Sequence, residues 1–305
     1  LLEAARQKQL PVIGVINKID LLRESAAIDF PAVDIPWIKV SALTGRGIAE
    51  LKQAMVKAAP QSWTVPTIAG DLVPAGELAL LVVPIDQAAP KGRLILPQVQ
   101  TIRDLLDHNC LVMVVKEEEL KGAFTRCQKP PALVITDSQV FRKVDALTPP
   151  GVPMTSFSIL FARYKGDLAA LVSGALAVKG LQPGDKVLIA EACTHHRVED
   201  DIGAVKIPRW LNRHVGGGLD FDWSSGGTLP DNLGQYRLIV HCGACMINRR
   251  QMLSRIMAAQ AAGVPVVNYG VLIAFVLGIL KRALAPFPDV LALLEDKGGV
   301  WDERF

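Results

Sequence analysis

Five residues have the types and spacing that metal or thiol chemistry requires: Cys193, His195, His241, Cys242 and Cys245. They lie in VLIAEACTHH at 187–196 and LIVHCGACMINRR at 238–250, so that C-x-H is followed, after 45 intervening residues, by H-C-x-x-C. Three thiolates suggest an iron-sulfur cluster, which four cysteines usually hold. With three, one iron of a 4Fe-4S cube is left for a histidine, a carboxylate, water or an incoming ligand, and that position is exchangeable. The same residues also make a Cys3His set, common in closed structural zinc sites. The plainest alternative is buried cysteines and strand-end histidines with no metal. A redox dithiol at Cys242 and Cys245 leaves Cys193 and both histidines unused. His196 adjoins the motif. Glu191, two residues before Cys193 and so on the same strand face, and Asp200 or Asp201 in the loop offer carboxylates.

Both cysteine groups end apolar runs that read as strands, and parallel α/β sheets open their binding crevices at carboxyl ends of strands. Gly243 and Ala244 are small enough to let a ligand approach the backbone. Cys245 falls where a helix is expected to begin, and backbone N–H groups and the helix dipole there favour a thiolate or sulfide.

The elements that must position these residues follow from periodicity. From about 163 to 305 the chain reads helix DLAALVSGALAVKG, strand KVLIAEAC, strand YRLIVHC, helix NRRQMLSRIMAAQAAG, strand VPVVNYG and helix VLIAFVLGILKRAL. Between the first two strands a polar, glycine-rich stretch runs from Thr194 to Gln235, too long for an ordinary connection and therefore expected to be functional or mobile. Residues 77–160 alternate strand LALLVVPI, helix LPQVQTIRDLLDHN, strand LVMVV, helix KEEELKGAFTRC, strand ALVIT, helix SQVFRKVDAL and strand SFSILFA. Such alternation implies a parallel sheet. Residues 1–62 supply strands VIGVI and WIKVS and helix GIAELKQAMVKAA, and the Pro- and Gly-rich residues 63–76 read as a linker. The fold class is therefore α/β, with three consecutive α/β units and mainly parallel sheets, at 1–62, 77–160 and 161–305.

A second constellation lies in the first unit. INKID at 16–20 places Asn17, Lys18 and Asp20 at one strand end, and VSALTG places Ser41 and Ala42 at the next. Together these resemble the guanine-recognition elements of GTPases. A carboxylate accepts guanine N1–H and N2–H, an amide bonds the Hoogsteen edge, a lysine stem covers the ring and a backbone N–H near Ala42 meets O6. No G-x-x-x-x-G-K-[S/T] phosphate loop occurs, and no Asp-x-x-Gly magnesium switch precedes the base motif. The chain as given is thus expected to lack GTPase activity. Leu1 in place of an initiator methionine, and a start resembling the end of an amphipathic helix, create the expectation of a missing upstream segment.

Composition sets the remaining bounds. With 305 residues, 50% hydrophobic and 21% charged, the chain is globular and long enough for two or three cores. Its net charge of +3 comes from 33 basic and 30 acidic residues spread along the chain, which gives no basic stripe for nucleic acid. Five cysteines and no leader create the expectation of a reducing, cytoplasmic location. The longest apolar run, VLIAFVLGIL, is about half of what a bilayer requires and reads as a buried helix. Cys110 and Cys127 read as core or near-surface thiols, and His108 and His214 as exposed. The two-strand GTPase remnant is expected to expose apolar edges.

The pattern C-T-H with H-C-G-A-C, behind a GTPase-like segment and a central α/β domain, resembles the HydF family of FeFe-hydrogenase maturation GTPases along essentially the whole chain. That resemblance implies a scaffold or carrier whose third domain holds a 4Fe-4S cluster and a diiron precursor of the H-cluster. The family receives material from the radical-SAM maturases HydE and HydG and delivers the precursor to apo-FeFe-hydrogenase. It binds GTP with Mg2+ when intact, and it dimerises through a middle domain whose sheets join across the two-fold axis. Carried over, Cys193, Cys242 and Cys245 are the cluster ligands. His195 and His241 match the family histidines, as a labile fourth ligand or as donors that orient one, with His196 a further candidate. The 45-residue spacer is slightly short for the family, which bears on loop shape. The competing class is a ribosome- or translation-linked GTPase with a structural Cys3His zinc module. Metal identity and an open coordination position separate the two, and the absence of a basic, aromatic-rich surface signature argues against RNA.

Overall fold

The computed structural model describes residues 2, 5, 11–22, 33–58, 66–85, 92–192, 201–226 and 228–298. The chain divides into two units, Leu1–Val65 and Pro66–Phe305.

In the first unit β1 (Gly14–Ile16) and β2 (Trp37–Lys39) pair in parallel, and α1 (Ile48–Ala58) follows. Gly14 is required where it stands, because a Cβ there would lie 2.3 Å from the Trp37 ring. Val15 on β1 is exposed, as are Leu43, Met55 and Val56 outside the strands.

The second unit carries two four-stranded sheets. The first is built from β3 (Leu78–Val82), α2 (Leu96–Asp107), β4 (Leu111–Val115), α3 (Leu120–Arg126), β5 (Leu133–Thr136), α4 (Phe141–Leu147) and β6 (Met154–Ser156), and α5 (Phe157–Lys165) ends it. The second contains α6 (Leu168–Leu176), β7 (Lys186–Glu191), α7 (Ile207–Val215), β8 (Asp220–Ser225), β9 (Leu238–His241), α8 (Arg249–Ala261), β10 (Val266–Asn268), α9 (Tyr269–Val276), α10 (Leu280–Ala283) and α11 (Pro288–Gly298). Their orders are β4-β3-β5-β6 and β10-β9-β7-β8, every pair parallel. The chain is therefore α/β throughout. In each sheet the first strand has the second on one side and the third on the other. Each thus has a topological switch point, between β3 and β5 and between β7 and β9. β5 and β9 are buried along their whole length, which explains their unbroken apolar runs.

Close packing fixes how helices lie on the second sheet. A Cβ on Gly174 of α6 would sit 1.9 Å from the Val266 carbonyl oxygen, so only glycine lets α6 approach β10 this closely. At the other end of the unit, the Asp104 carboxylate accepts the N–H groups of Ile68, Ala69 and Gly70 at 3.1, 2.8 and 2.7 Å.

Several expected elements are different. SFSILFA is not a strand: the strand is Met154–Ser156, and Phe157 opens helix α5. The Ser156 hydroxyl caps it by accepting the Ile159 N–H at 3.2 Å. The helix is apolar on most faces because it packs against α2, α6, α8 and α9, and such a run shows no helical period. The stretch from Thr194 to Gln235 is not irregular throughout, since it contains one turn of π-helix at Ile202–Lys206, then α7 and β8. β8 is an edge strand with a mainly polar sequence, DFDWSS, which hid it. The last apolar run breaks at Gly278, whose φ is +72°, into α9 and α10. The helix expected over KEEELKGAFTRC starts only at Leu120.

His108 and His214 are half-buried rather than exposed. His108 Nδ1 bonds the Asp104 carbonyl at 2.7 Å and its ring fills the space over Gly70. Burial lowers the pKa of His214. Among the described residues no helix is long and apolar enough to cross a membrane.

Candidate metal centre

The second sheet brings the two ends that matter together. Ala190 of β7 lies opposite His241 of β9, so the residues after both strands emerge side by side at the switch point. Cys242 continues the ladder, its N–H bonding the Ala190 carbonyl at 3.0 Å. Its sulfur is buried and accepts the Ala192 N–H at 3.2 Å. A backbone donor on sulfur stabilises a thiolate, free or metal-bound.

Beyond Cys242 the chain turns sharply. Ala244 takes φ +56°, in the left-handed region, and Cys245 stands half-buried in the turn that follows. A Cβ on Gly243 would meet Cys245 Sγ at 3.6 Å and Ser158 Oγ at 3.9 Å, so the small residue keeps open the space beside the sulfur. Helix α8 starts only after Asn248, whose side chain accepts the Gln251 N–H at 2.9 Å. Cys245 therefore precedes the helix and sits in the turn ahead of its capped first turn.

His241 is 1% exposed and both ring nitrogens are engaged. Nδ1 donates to the Cys242 carbonyl at 2.8 Å, and Nε2 accepts from Arg255 Nη1 at 2.8 Å. Burial pushes its pKa down to about 4, opposed by the Cys242 carbonyl and helped by the Arg255 charge, so the imidazole is neutral near pH 7. In this arrangement it orients the Cys242 backbone, and binding a metal through Nε2 requires release of Arg255. Arg255 Nη2 also donates to the Gly226 carbonyl, and Gly226 N–H bonds the Glu191 carbonyl at 3.0 Å, which ties together the ends of β7, β8 and β9.

Two carboxylates are buried nearby. Glu191 is 3% and Asp201 6% exposed. Tyr269 donates its hydroxyl to Glu191 Oε1 at 3.2 Å, and Asp201 Oδ1 accepts the Ala204 N–H at 2.8 Å. Burial first, then the charges of Glu191 and Cys242, raise the pKa of Tyr269 and keep it a donor.

Cys193, His195, His196 and Asp200 lie outside the described residues. Ala192 and Asp201, which bound that stretch, are both buried in the second unit. Among the described residues no three His, Cys, Asp or Glu side chains gather as a metal site. Cys242 and Cys245 form no disulfide, and a soft ion or a cluster suits sulfur donors with an N–H on one of them. Cys110 Sγ and Cys127 Sγ bond the carbonyls of Val73 and Ala123, each at 3.3 Å.

In the first unit Asn17, Asp20, Ser41 and Ala42 converge. Asn17 Oδ1 accepts the N–H groups of Lys18 at 2.7 Å and Ala42 at 3.1 Å, and the Ser41 hydroxyl donates to Asp20. Lys18 has φ +64° and, like Asp20, is exposed.

Sequence reasoning missed Arg255, Tyr269, Ser158 and Lys165. Arg255 carried a readable signal, because it shares the buried face of α8 with Met252, Ile256 and Ala259. A cation on an apolar helical stripe needs a buried partner.

Residues 68–166 match the hydrogen maturase F dimerization domain, and residues 169–286 match the hydrogen maturase F tetramerization domain. No curated protein matches the chain. The junction between the two matches falls between α5 and α6, and His241, Cys242 and Cys245 all lie within the second. Adjacent and in this order, the two domains span more than two thirds of the chain, which therefore belongs to the hydrogen maturase F (HydF) family of hydrogenase maturation proteins.

Proposed function

We propose that the chain is a scaffold that holds a 4Fe-4S cluster through Cys193, Cys242 and Cys245 and carries a diiron H-cluster precursor to apo-FeFe-hydrogenase. The observation that carries this reading is the pair Cys242 and Cys245 at the switch point beside the end of β7, with the Ala192 N–H on Cys242 Sγ. His195 or His196 is the candidate for the exchangeable fourth iron position, and His241 orients the turn. HydE and HydG are the proposed sources of the cargo. Asn17, Lys18, Asp20, Ser41 and Ala42 are the proposed guanine-recognition part of a GTP and Mg2+ site. A cytoplasmic, reducing setting suits cysteines that form no disulfide.

For its oligomer we propose a homodimer formed through the β4 edge. β4 is an edge strand with Leu111 and Val114 exposed, next in sequence to α2, which exposes Leu96, Val99 and Leu106. An apolar edge of this kind demands a cover.

Metal and sulfide analysis of the anaerobically reconstituted chain tests the reading. About four iron and four sulfide per chain are expected for one 4Fe-4S cluster. Stoichiometric zinc without sulfide would overturn it and favour the translation-linked GTPase with a structural zinc module.

A further inference from the structure

Helix α5 lies within the dimerization match, yet its last turn reaches the cysteine turn of the tetramerization match. Lys165 is only 8% exposed. Its ammonium donates to the carbonyls of Ala244 at 3.0 Å, Cys245 at 2.8 Å and Ile247 at 2.9 Å. All three N–H donors of the ammonium are thereby used. Arg249, at the start of α8, answers from the other side. Its Nη1 donates to the carbonyls of Arg163, Tyr164 and Gly166 at 3.1, 2.7 and 3.0 Å. Each of the two segments thus supplies a cation to main-chain carbonyls of the other.

We propose that Lys165 is the positioning residue of the metal centre, holding the turn from Cys242 to Ile247 in its left-handed shape and placing a fixed positive charge beside the two sulfurs. This rests on the reading of Cys242 and Cys245 as cluster ligands. Two consequences follow. Loss of the ammonium removes its donor from three carbonyls and loosens the turn whether or not a cluster is present. With a cluster bound, loss of the charge disfavours the reduced state, which carries one more electron.

The test compares the full chain with Lys165→Met and Lys165→Arg. In the metal-free proteins, amide hydrogen exchange at 243–248 is expected to rise about tenfold or more in Lys165→Met, while the amides of β7 and β9 keep their protection. After reconstitution, reduction of the cluster in Lys165→Met is expected to be about tenfold less favourable, or 59 mV lower for a one-electron couple. Lys165→Arg keeps the charge but not the compact three-donor geometry, so its potential stays near that of the parent while its turn exchanges faster. Parent-like exchange and potential in Lys165→Met would overturn the proposal. If that variant does not fold, parent-like exchange at 243–248 in Lys165→Arg does the same. If the parent chain takes up no cluster, the scaffold reading fails, and exchange in the metal-free chain still decides the role of Lys165.

Discussion

Cys242→Ala is expected to abolish cluster binding, taking iron from about four per chain to less than about one, with little effect on the fold. Among the proposed ligands, Cys242 follows β9 directly, is held to β7 through the Ala190 carbonyl, and has the Ala192 N–H on its sulfur. Removing one sulfur from a buried site costs about 1 kcal/mol in packing. The proposed cluster, by contrast, would lose one of the three thiolates on which a cube with an open iron depends. The urea midpoint should therefore stay near that of the parent while the cluster absorption vanishes. Cys110→Ala and Cys127→Ala should keep full iron, because those thiols serve local backbone carbonyls in the dimerization match. Full iron retention in Cys242→Ala, or loss in Cys110→Ala, would contradict the ligand assignment.

The metal-free chain is expected to lose about 3 kcal/mol of stability as pH falls from about 6.5 to about 4, through His241 alone. Its folded pKa is about 4, against an ordinary value of 6.5, because burial disfavours the charged ring. Between those values the unfolded chain binds the proton and the folded chain does not. The contribution is complete above 6.5, declines as pH falls through that window, and is gone below the folded value. Protonation would also place an N–H of the ring against the guanidinium of Arg255, where Nε2 now accepts at 2.8 Å. His241→Gln should flatten this part of the pH profile, because an amide can serve both neighbours without titrating. Urea midpoints of both proteins across the window provide the measurement. Parallel profiles would show that His241 is not held neutral.

The sequence was most informative where structure is local. LVMVV forms β4 residue for residue, and strand-helix alternation implied two parallel sheets, as found. The position of Cys242 at a strand end was also legible, because the apolar run LIV stops at His241. What failed depends on distant partners. SFSILFA lacks a helical period because neighbours cover α5 on several sides, and β8 looked polar because it is an edge. Lys165 meets its carbonyl partners 79 to 82 residues away, and no local pattern announces such a pairing. The reach of Arg255 to Gly226 crosses 29 residues and joins helix α8 to the loop after β8, a pairing that follows from the sheet order.

The most direct test of the scaffold account is the EPR spectrum of the reconstituted, reduced chain recorded with and without imidazole. An open iron on a three-cysteine cluster predicts a reduced 4Fe-4S signal that shifts when imidazole binds. A cluster signal insensitive to imidazole would contradict an exchangeable position, and the absence of any cluster signal beside bound zinc would contradict the scaffold itself.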